Sequence, residues 1–168
     1  HVFGLMGNGN AWFVDALDRL GRGIVTVRHE VATVAAADAY HRVTRRPAVA
    51  TTTYGAGFTN TITALADASL SRIPLLLVVG GTPSTGPRKF DVDQRGLATA
   101  VGVPTFTVHT GDVAQVTLQA WEHALSNRTP VVLEIPYDLA AEPATDPTAD
   151  AAFTYEPAPA RQAATPDV

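Results

Sequence analysis

The 168-residue chain has no cysteine, little charge and no long apolar run. Without thiols it can form no disulfide and no thiolate metal site, and it has no cysteine nucleophile. Its 12 Lys and Arg are outnumbered by 16 Asp and Glu, giving a net charge of −4, whereas nucleic-acid-binding modules normally carry a basic surplus. No apolar stretch approaches the ~20 residues that a membrane-spanning helix needs. We therefore expect a cytoplasmic protein with neither nucleic acid nor a membrane as partner.

The chain does contain enough hydrophobic residues to form one core. Hydrophobic residues make up 46% of it, and its length is typical of a single domain. The first residues, from His1, read as a strand already under way, so we interpret this end as cut, with no visible signal peptide. After Leu139 the composition becomes rich in Ala, Thr and Pro. We expect one domain over residues 1–139 and a linker or disordered tail over 140–168.

Short β-rich runs alternate with Ala-rich helical runs along residues 1–139. Strands are predicted at 2–5, 24–27, 48–52, 75–79, 103–108 and 131–135, and helices at 11–20, 31–43, 59–70 and 112–126. The polar stretch 82–95 shows few regular signals. Strands 75–79 and 131–135 do not alternate between apolar and polar residues, as is typical of strands buried on both faces of a parallel sheet. The pattern predicts a three-layer α/β/α fold with a mostly parallel sheet.

Ligands of open parallel sheets bind beyond the carboxyl ends of the strands. Loops 7–10, 28–30 and 54–60 fall at such ends. They place one glycine turn, one carboxylate and a second glycine turn on the same edge of the predicted sheet.

Glu30 is the first candidate for chemistry, because it follows the second strand and directly precedes an apolar helix. A carboxylate there is favoured by the helix dipole, by a few tenths to about 1 kcal/mol, and this alone could explain it. The functional alternative is an acid suited to proton exchange near neutral pH. The neighbouring His29 could be a second proton carrier or simply a loop residue.

The glycine run 54–60 is the second candidate. Gly55 and Gly57 let the backbone turn tightly and let a planar or anionic ligand approach main-chain N–H groups, although a plain turn is as consistent with them. The run lacks the third glycine of a dinucleotide fingerprint and the Walker lysine. Asn60 could simply satisfy the helix start. The five histidines lack metal-ligand spacing, and no serine sits in a nucleophile elbow.

Taken together, the motifs resemble the pyrimidine-binding (PYR) domain of thiamine-diphosphate-dependent enzymes, above all the acetolactate synthases. The ordered matches are V-F-G-L-M-G at 2–7, R-H-E at 28–30, A-A-A-D-A-Y at 35–40, G-A-G-F-T-N at 55–60, L-A-D-A at 65–68, I-P-L-L at 73–76, D-Q at 93–94 and P-V-V-L-E-I-P at 130–136. Two stretches depart from the family pattern. The usual A-A-E-G-Y-A reads A-A-A-D-A-Y, and the first loop lacks its proline.

The resemblance implies a carboligase or decarboxylase acting on 2-oxo acids. Glu30 would be the catalytic residue, hydrogen-bonded to N1′ of the aminopyrimidine, so that the cofactor's 4′-nitrogen can remove the proton from C2 of its thiazolium. It implies further contacts of two kinds. The cofactor would be bound by Glu30, Thr53, Gly55, Gly57 and Asn60, and the substrate would be faced by Gly7, Asn8 and Gln94.

The resemblance also implies that half of the site lies elsewhere. In the family the diphosphate and Mg²⁺ are held by a second domain with a G-D-G…N motif, in the same chain or a partner chain. Here Gly111-Asp112 is followed by Val113, so this chain is expected to bind no metal. We expect a piece of a larger homodimeric or homotetrameric enzyme, inactive alone. Two alternatives are the small subunit of a two-chain 2-oxo acid decarboxylase and a non-catalytic assembly module.

Overall fold

The computed structural model describes residues 1–143, which alternate strands and helices from end to end. The strands are β1 (Val2–Gly4), β2 (Val25–Thr26), β3 (Ala48–Thr52), β4 (Leu75–Gly81), β5 (Thr105–Thr107) and β6 (Pro130–Pro136). The helices are α1 (Ala11–Arg19), α2 (Val31–Thr44), α3 (Ala56–Thr59), α4 (Ile62–Leu70), α5 (Gln94–Ala100) and α6 (Val113–Asn127). Within this part of the chain no helix is both long enough and apolar enough to cross a membrane. The tail predicted over 140–168 lies, from residue 144 onward, outside the described residues.

The strands form one sheet in the order β2-β1-β3-β4-β6-β5. Every neighbouring pair is parallel, which confirms the predicted sheet type. All seven residues of β4 are buried. Leu77 of this strand pairs with Ala50 of β3 and with Val132 of β6, so β4 lies at the centre of the sheet. A central parallel strand is buried because helices cover both of its faces.

Helices cover both faces of the sheet, so the predicted three-layer α/β/α fold is confirmed. On one face α2, α3, α4 and α5 enclose a core that includes Val34, Phe58 and Leu65. On the other face α6 contributes the buried Ala120 and Ala124, and Phe13 of α1 packs against the same cluster. The Ala-rich composition of these helices allows them to lie close to the sheet.

Two helices differ from the prediction. The helix predicted at 59–70 is interrupted at residues 60 and 61, where the Thr61 hydroxyl donates to the carbonyl of Phe58 at 2.7 Å and so competes with regular helix bonding. Helix α5 was not predicted, because its sequence Q-R-G-L-A-T-A has no apolar stripe. Its start is specified by Asp93, whose carboxylate accepts from the N–H of Gly96 at 2.8 Å.

The chain path creates a crevice between β1 and β3. From β1 the chain passes through α1 on one face of the sheet, and from β3 it passes through α3 and α4 on the other. The loops after these two strands therefore diverge. In parallel sheets such a switch point is the usual place for a ligand.

We predict a pH-dependent stability that arises from His41 on α2. His41 is 9% exposed, and within residues 1–143 its Nδ1 has no hydrogen-bond partner. Burial lowers the pKa of His41 from its usual 6.5, and the charges of Arg45 and Arg128 add to this effect. Below about pH 6.5 the unfolded chain therefore binds a proton that the folded chain does not, and the free energy of unfolding falls as the pH drops toward the lowered pKa.

Urea unfolding at several pH values between about 7.5 and 5 would measure this dependence. The expected slope is at most about 1.4 kcal/mol per pH unit. The variant His41→Leu should lose that part of the slope. Equal slopes in the two proteins would contradict the assignment to His41.

Candidate functional site

The residues predicted to carry chemistry converge at the carboxyl edge of the sheet. Loop 7–10 follows β1, Glu30 follows β2, and the turn 53–55 follows β3. The loop after β4 and the start of α5 lie at the same edge. The parallel strand order therefore places the two glycine turns and the carboxylate side by side, as the sequence pattern indicated.

Glu30 occupies the residue before α2, yet its side chain does not cap that helix. Its carboxylate oxygen Oε2 instead accepts a hydrogen bond of 3.0 Å from Nδ2 of Asn60. The Glu30 side chain is 19% exposed, so it lies partly buried at the edge of the crevice. Contact with the second glycine turn, rather than helix capping, determines where this carboxylate lies.

His29 is placed differently from Glu30. Its side chain is 61% exposed, and its Nδ1 lies 4.0 Å from Oε2 of Glu30. The same nitrogen accepts from the N–H of Val31 at 3.3 Å, a local loop contact. His29 is thus an exposed loop residue next to the carboxylate.

Gly57 is packed closely against Thr52, Thr53 and Glu30. A Cβ at this position would lie 2.5 Å from Cγ2 of Thr53, 3.1 Å from Oγ1 of Thr52 and 3.5 Å from Oε1 of Glu30. The Thr52 hydroxyl is buried and has no hydrogen-bond partner among the described residues. A buried polar atom without a partner is costly, so a hydrogen bond from this hydroxyl to a water or a ligand atom would be favourable.

Thr53 joins the two glycine turns. Its Oγ1 accepts from the N–H of Gly9 at 2.9 Å. A Cβ on Gly7 would lie 2.8 Å from Cβ of Thr53, so the first loop packs directly on this threonine. Thr53 therefore contacts both glycine turns and connects the neighbourhood of Glu30 and Gly57 to the loop after β1.

Gln94, the first residue of α5, holds the second glycine turn from inside the protein. The residue is 4% exposed. Its Oε1 accepts from the N–H of Gly55 at 3.0 Å, and its Nε2 donates to the carbonyl of Gly80 at 3.1 Å and to Oε1 of Glu134 at 3.0 Å. The amide is fully engaged within the domain, whereas the family resemblance led us to expect it facing substrate.

Sequence reasoning missed one cluster at this edge. The guanidinium carbon of Arg88 lies 3.8 Å from the ring centre of Tyr54 and 4.4 Å from that of Tyr137. Nδ2 of Asn8 donates to the Tyr54 hydroxyl at 3.2 Å, and the Tyr137 hydroxyl donates to Oδ1 of Asn8 at 3.0 Å. These residues come from four separate loops, so no local sequence signal could have revealed the cluster.

The arrangement suits a planar, hydrogen-bonding ring better than a metal ion. A carboxyl group able to share a proton lies beside glycine backbone and the buried hydroxyl of Thr52, and these groups fit a heterocycle with nitrogen donors and acceptors. Within residues 1–143, no three His, Asp or Glu side chains come together in a way that would hold a metal ion.

We predict that the turn at Gly55 tolerates no side chain. Gly55 has φ +64° and ψ −123°, and a Cβ there would lie 2.5 Å from the backbone oxygen of Phe90. Gly55→Ala should lower the free energy of unfolding by about 1–3 kcal/mol. Gly23→Ala is the matched control, because within residues 1–143 no atom beyond its chain neighbours lies within 4 Å of its Cβ position. This control should stay within about 0.5 kcal/mol of the unaltered chain.

Urea unfolding of the two variants and the unaltered chain would make this comparison. If Gly55→Ala were as stable as Gly23→Ala, the described conformation of the turn would be wrong. The N–H of Gly55, which donates a hydrogen bond to Oε1 of Gln94, would then also be placed differently in solution.

The sequence of this chain is similar to those of known proteins. Residues 1–94 match the family model "Thiamine pyrophosphate enzyme, N-terminal TPP binding domain". The chain is 36% identical to acetolactate synthase isozyme 2 large subunit of Escherichia coli, over 82% of this chain and 26% of that protein. It is 39% identical to isozyme 3 large subunit of the same organism, over 82% of this chain and 25% of that protein.

A third relative is 2-hydroxyacyl-CoA lyase 2 of Mus musculus, 44% identical over 50% of this chain and 13% of that protein. The chain thus spans about a quarter of the length of the acetolactate synthases it matches. The family model covers more than half of the 168 residues. The chain belongs to the family of N-terminal, thiamine-pyrophosphate-binding domains of thiamine pyrophosphate enzymes.

Proposed function

We propose that this domain activates thiamine diphosphate in an acetolactate synthase-like carboligase or decarboxylase that acts on 2-oxo acids. The observation that carries the proposal is the Glu30 carboxylate, held by Asn60 at 3.0 Å beside the closely packed backbone of Gly57. When bound, thiamine diphosphate supplies an electron sink for the carbanion that decarboxylation leaves. The domain's own residues would bind, orient and exchange protons with the aminopyrimidine.

In this proposal Glu30 is the catalytic residue and shares a proton with N1′ of the aminopyrimidine. Asn60 orients the carboxylate through Oε2, which leaves Oε1 to face the ligand side near Gly57. Gly57, Gly55 and Thr53 form the wall against which the ring would lie. A side chain at Gly57 would collide with Thr53 and displace this wall, so the close approach of the two residues requires glycine.

Gly7, Asn8 and Gln94 are proposed to lie on the substrate side. Asn8 is exposed at the end of the crevice, and Gly7 packs on Thr53. Gln94 is buried and hydrogen-bonded to Gly55, Gly80 and Glu134, so its support for the proposed site is indirect. A direct contact of Gln94 with substrate stays a prediction.

The rest of the proposed site lies outside residues 1–143. We propose that a second domain, in the same or a partner chain, holds the diphosphate through Mg²⁺, and that the assembled enzyme is a homodimer or homotetramer. Support comes from the 26% coverage of the acetolactate synthase. The mass of the natural polypeptide tests this: a single-chain enzyme would be about three times as long as this chain, whereas the two-chain alternative requires a second, co-purifying subunit.

We predict that Glu30→Gln, in the assembled enzyme, lowers kcat for a 2-oxo acid by about 10²–10⁴-fold, because an amide cannot take up and release the proton. Asn60→Ala, which leaves the carboxylate in place but unoriented, should have a smaller effect of about tenfold. The matched control is Glu122→Gln, the same change at an exposed position on α6, which should retain full activity.

Steady-state turnover of the three variants, with circular dichroism as a check of folding, would make this measurement. Unchanged kcat in a correctly folded Glu30→Gln enzyme would exclude the catalytic role and favour the alternative of a non-catalytic assembly module. A chain that bound no thiamine diphosphate even with its partner domain would do the same.

A further inference from the structure

The cluster formed by Arg88, Tyr54, Tyr137 and Asn8 has no part in the proposed proton exchange, yet it joins four loops at the edge of the crevice. Asn8 follows β1, Tyr54 follows β3, Arg88 lies in the loop after β4, and Tyr137 follows β6 directly. The rings of Tyr54 and Tyr137 are 6.0 Å apart and nearly perpendicular, at 83°, and both contact the Arg88 guanidinium. Such contacts are attractive because the ring faces carry negative charge density.

Arg88 is fixed in this cluster from its other side by Asp91. Its Nε and Nη2 donate to the Asp91 carboxylate at 3.1 and 2.8 Å, and its Nη2 also lies 3.4 Å from the carbonyl of Gly81. The Asp91 side chain is 4% exposed, and the Arg88 side chain is 26% exposed. The paired hydrogen bonds hold the planar guanidinium in one orientation, which a lysine could not reproduce.

The positive charge of Arg88 is thus matched by a buried carboxylate. The Asp91 carboxylate already engages Nε and Nη2 of Arg88, so these two donors are not available to a substrate anion. Hydrogen bonding to Arg88 also lowers the pKa of Asp91, so the pair stays ionised at neutral pH. The guanidinium of Arg88 contacts both tyrosine rings and holds them at a fixed separation and angle.

The two tyrosine hydroxyls in turn fix Asn8. The Asn8 amide donates a hydrogen bond to the Tyr54 hydroxyl at 3.2 Å and accepts one from the Tyr137 hydroxyl at 3.0 Å, so both ends of the amide are held. A free asparagine side chain on an exposed loop would sample several rotamers. Here it is held next to Gly7 and Gly9, at the end of the crevice that begins at Glu30.

We propose that Arg88 is a positioning residue that, through the rings of Tyr54 and Tyr137, orients Asn8 for contact with the 2-oxo acid substrate. This inference rests on the proposed function, since the 2-oxo acid that Asn8 would contact is the substrate of that proposed reaction. It adds Arg88, Tyr137 and Asp91, none of which a sequence motif indicated.

The decisive variant is Tyr137→Phe in the assembled enzyme. It removes the hydroxyl that donates to Asn8 but keeps the ring over Arg88. We expect KM for the 2-oxo acid to rise about three- to tenfold, the usual effect of one lost hydrogen bond. The kcat, the affinity for thiamine diphosphate and the Tm should stay unchanged. Arg88→Lys should raise KM at least as much, because the ammonium group cannot replace the planar fork.

The matched control is Lys89→Ala, which removes one positive charge from the same loop outside the cluster and should leave KM unchanged. A purely structural role of the cluster would lower Tm in Arg88→Lys and leave KM unaltered in Tyr137→Phe, and that pattern would overturn the proposal. An equal rise in KM for Lys89→Ala would also overturn it, because net loop charge would then explain the effect.

A second measurement separates this inference from the proposed function. In the 168-residue chain the side-chain amide protons of Asn8 should give a well-dispersed NMR pair that moves toward free-amide positions in Tyr137→Phe and Arg88→Lys but not in Lys89→Ala. If the assembled enzyme turned over no 2-oxo acid, the proposed function would fail and the substrate role of Asn8 with it. An Asn8 signal already at free-amide positions in the unaltered chain would refute the positioning role alone.

Discussion

Parallel pairing of β1, β3 and β4 is the constraint on which the candidate site depends. Because all three strands run in the same direction, the loops that follow them leave the sheet at one edge. The reversal of chain path between β1 and β3 then sends those loops to opposite faces and opens the crevice. Glu30 reaches this crevice from β2, which extends the same parallel sheet on the far side of β1.

Close backbone approach makes the edge compact. A Cβ on Gly80 would lie 2.5 Å from the carbonyl oxygen of Gly9, so the end of β4 and the first loop nearly touch. The close contact of Gly55 with the Phe90 carbonyl joins the second turn to the loop after β4. Displacement of any one of these loops would therefore move its neighbours, because no flexible side chain separates them.

Buried polar groups connect this edge to the core of the sheet. Gln94 links Gly55 to Gly80 and to Glu134 of β6, and Oε2 of Glu134 accepts in turn from the Thr107 hydroxyl at 3.1 Å. Each of these groups would be costly to bury alone, so satisfying them together favours one arrangement of α5 against the sheet. The family resemblance pointed to Gln94 as a functional residue. Its hydrogen bonds to Gly55 and Gly80 hold the loops of the proposed site in place without any contact with a ligand.

Sequence by itself determined the fold class and indicated the edge of the sheet at which the candidate site is proposed. The non-alternating apolar strands 75–79 and 131–135, the alternation of strands and helices, and the glycine turns are local patterns, and local patterns are sufficient to predict a parallel sheet with a ligand edge. They did not predict α5, whose residues have no apolar stripe and whose start depends on the capping carboxylate of Asp93. Only the tertiary structure decided that Glu30 meets Asn60 rather than its own helix, that Thr52 is left without a partner within the described part of the chain, and that Arg88 lies between Tyr54 and Tyr137. The physical reason is that these contacts join residues up to 129 positions apart, as with Asn8 and Tyr137, and their distances are set by strand order and helix packing.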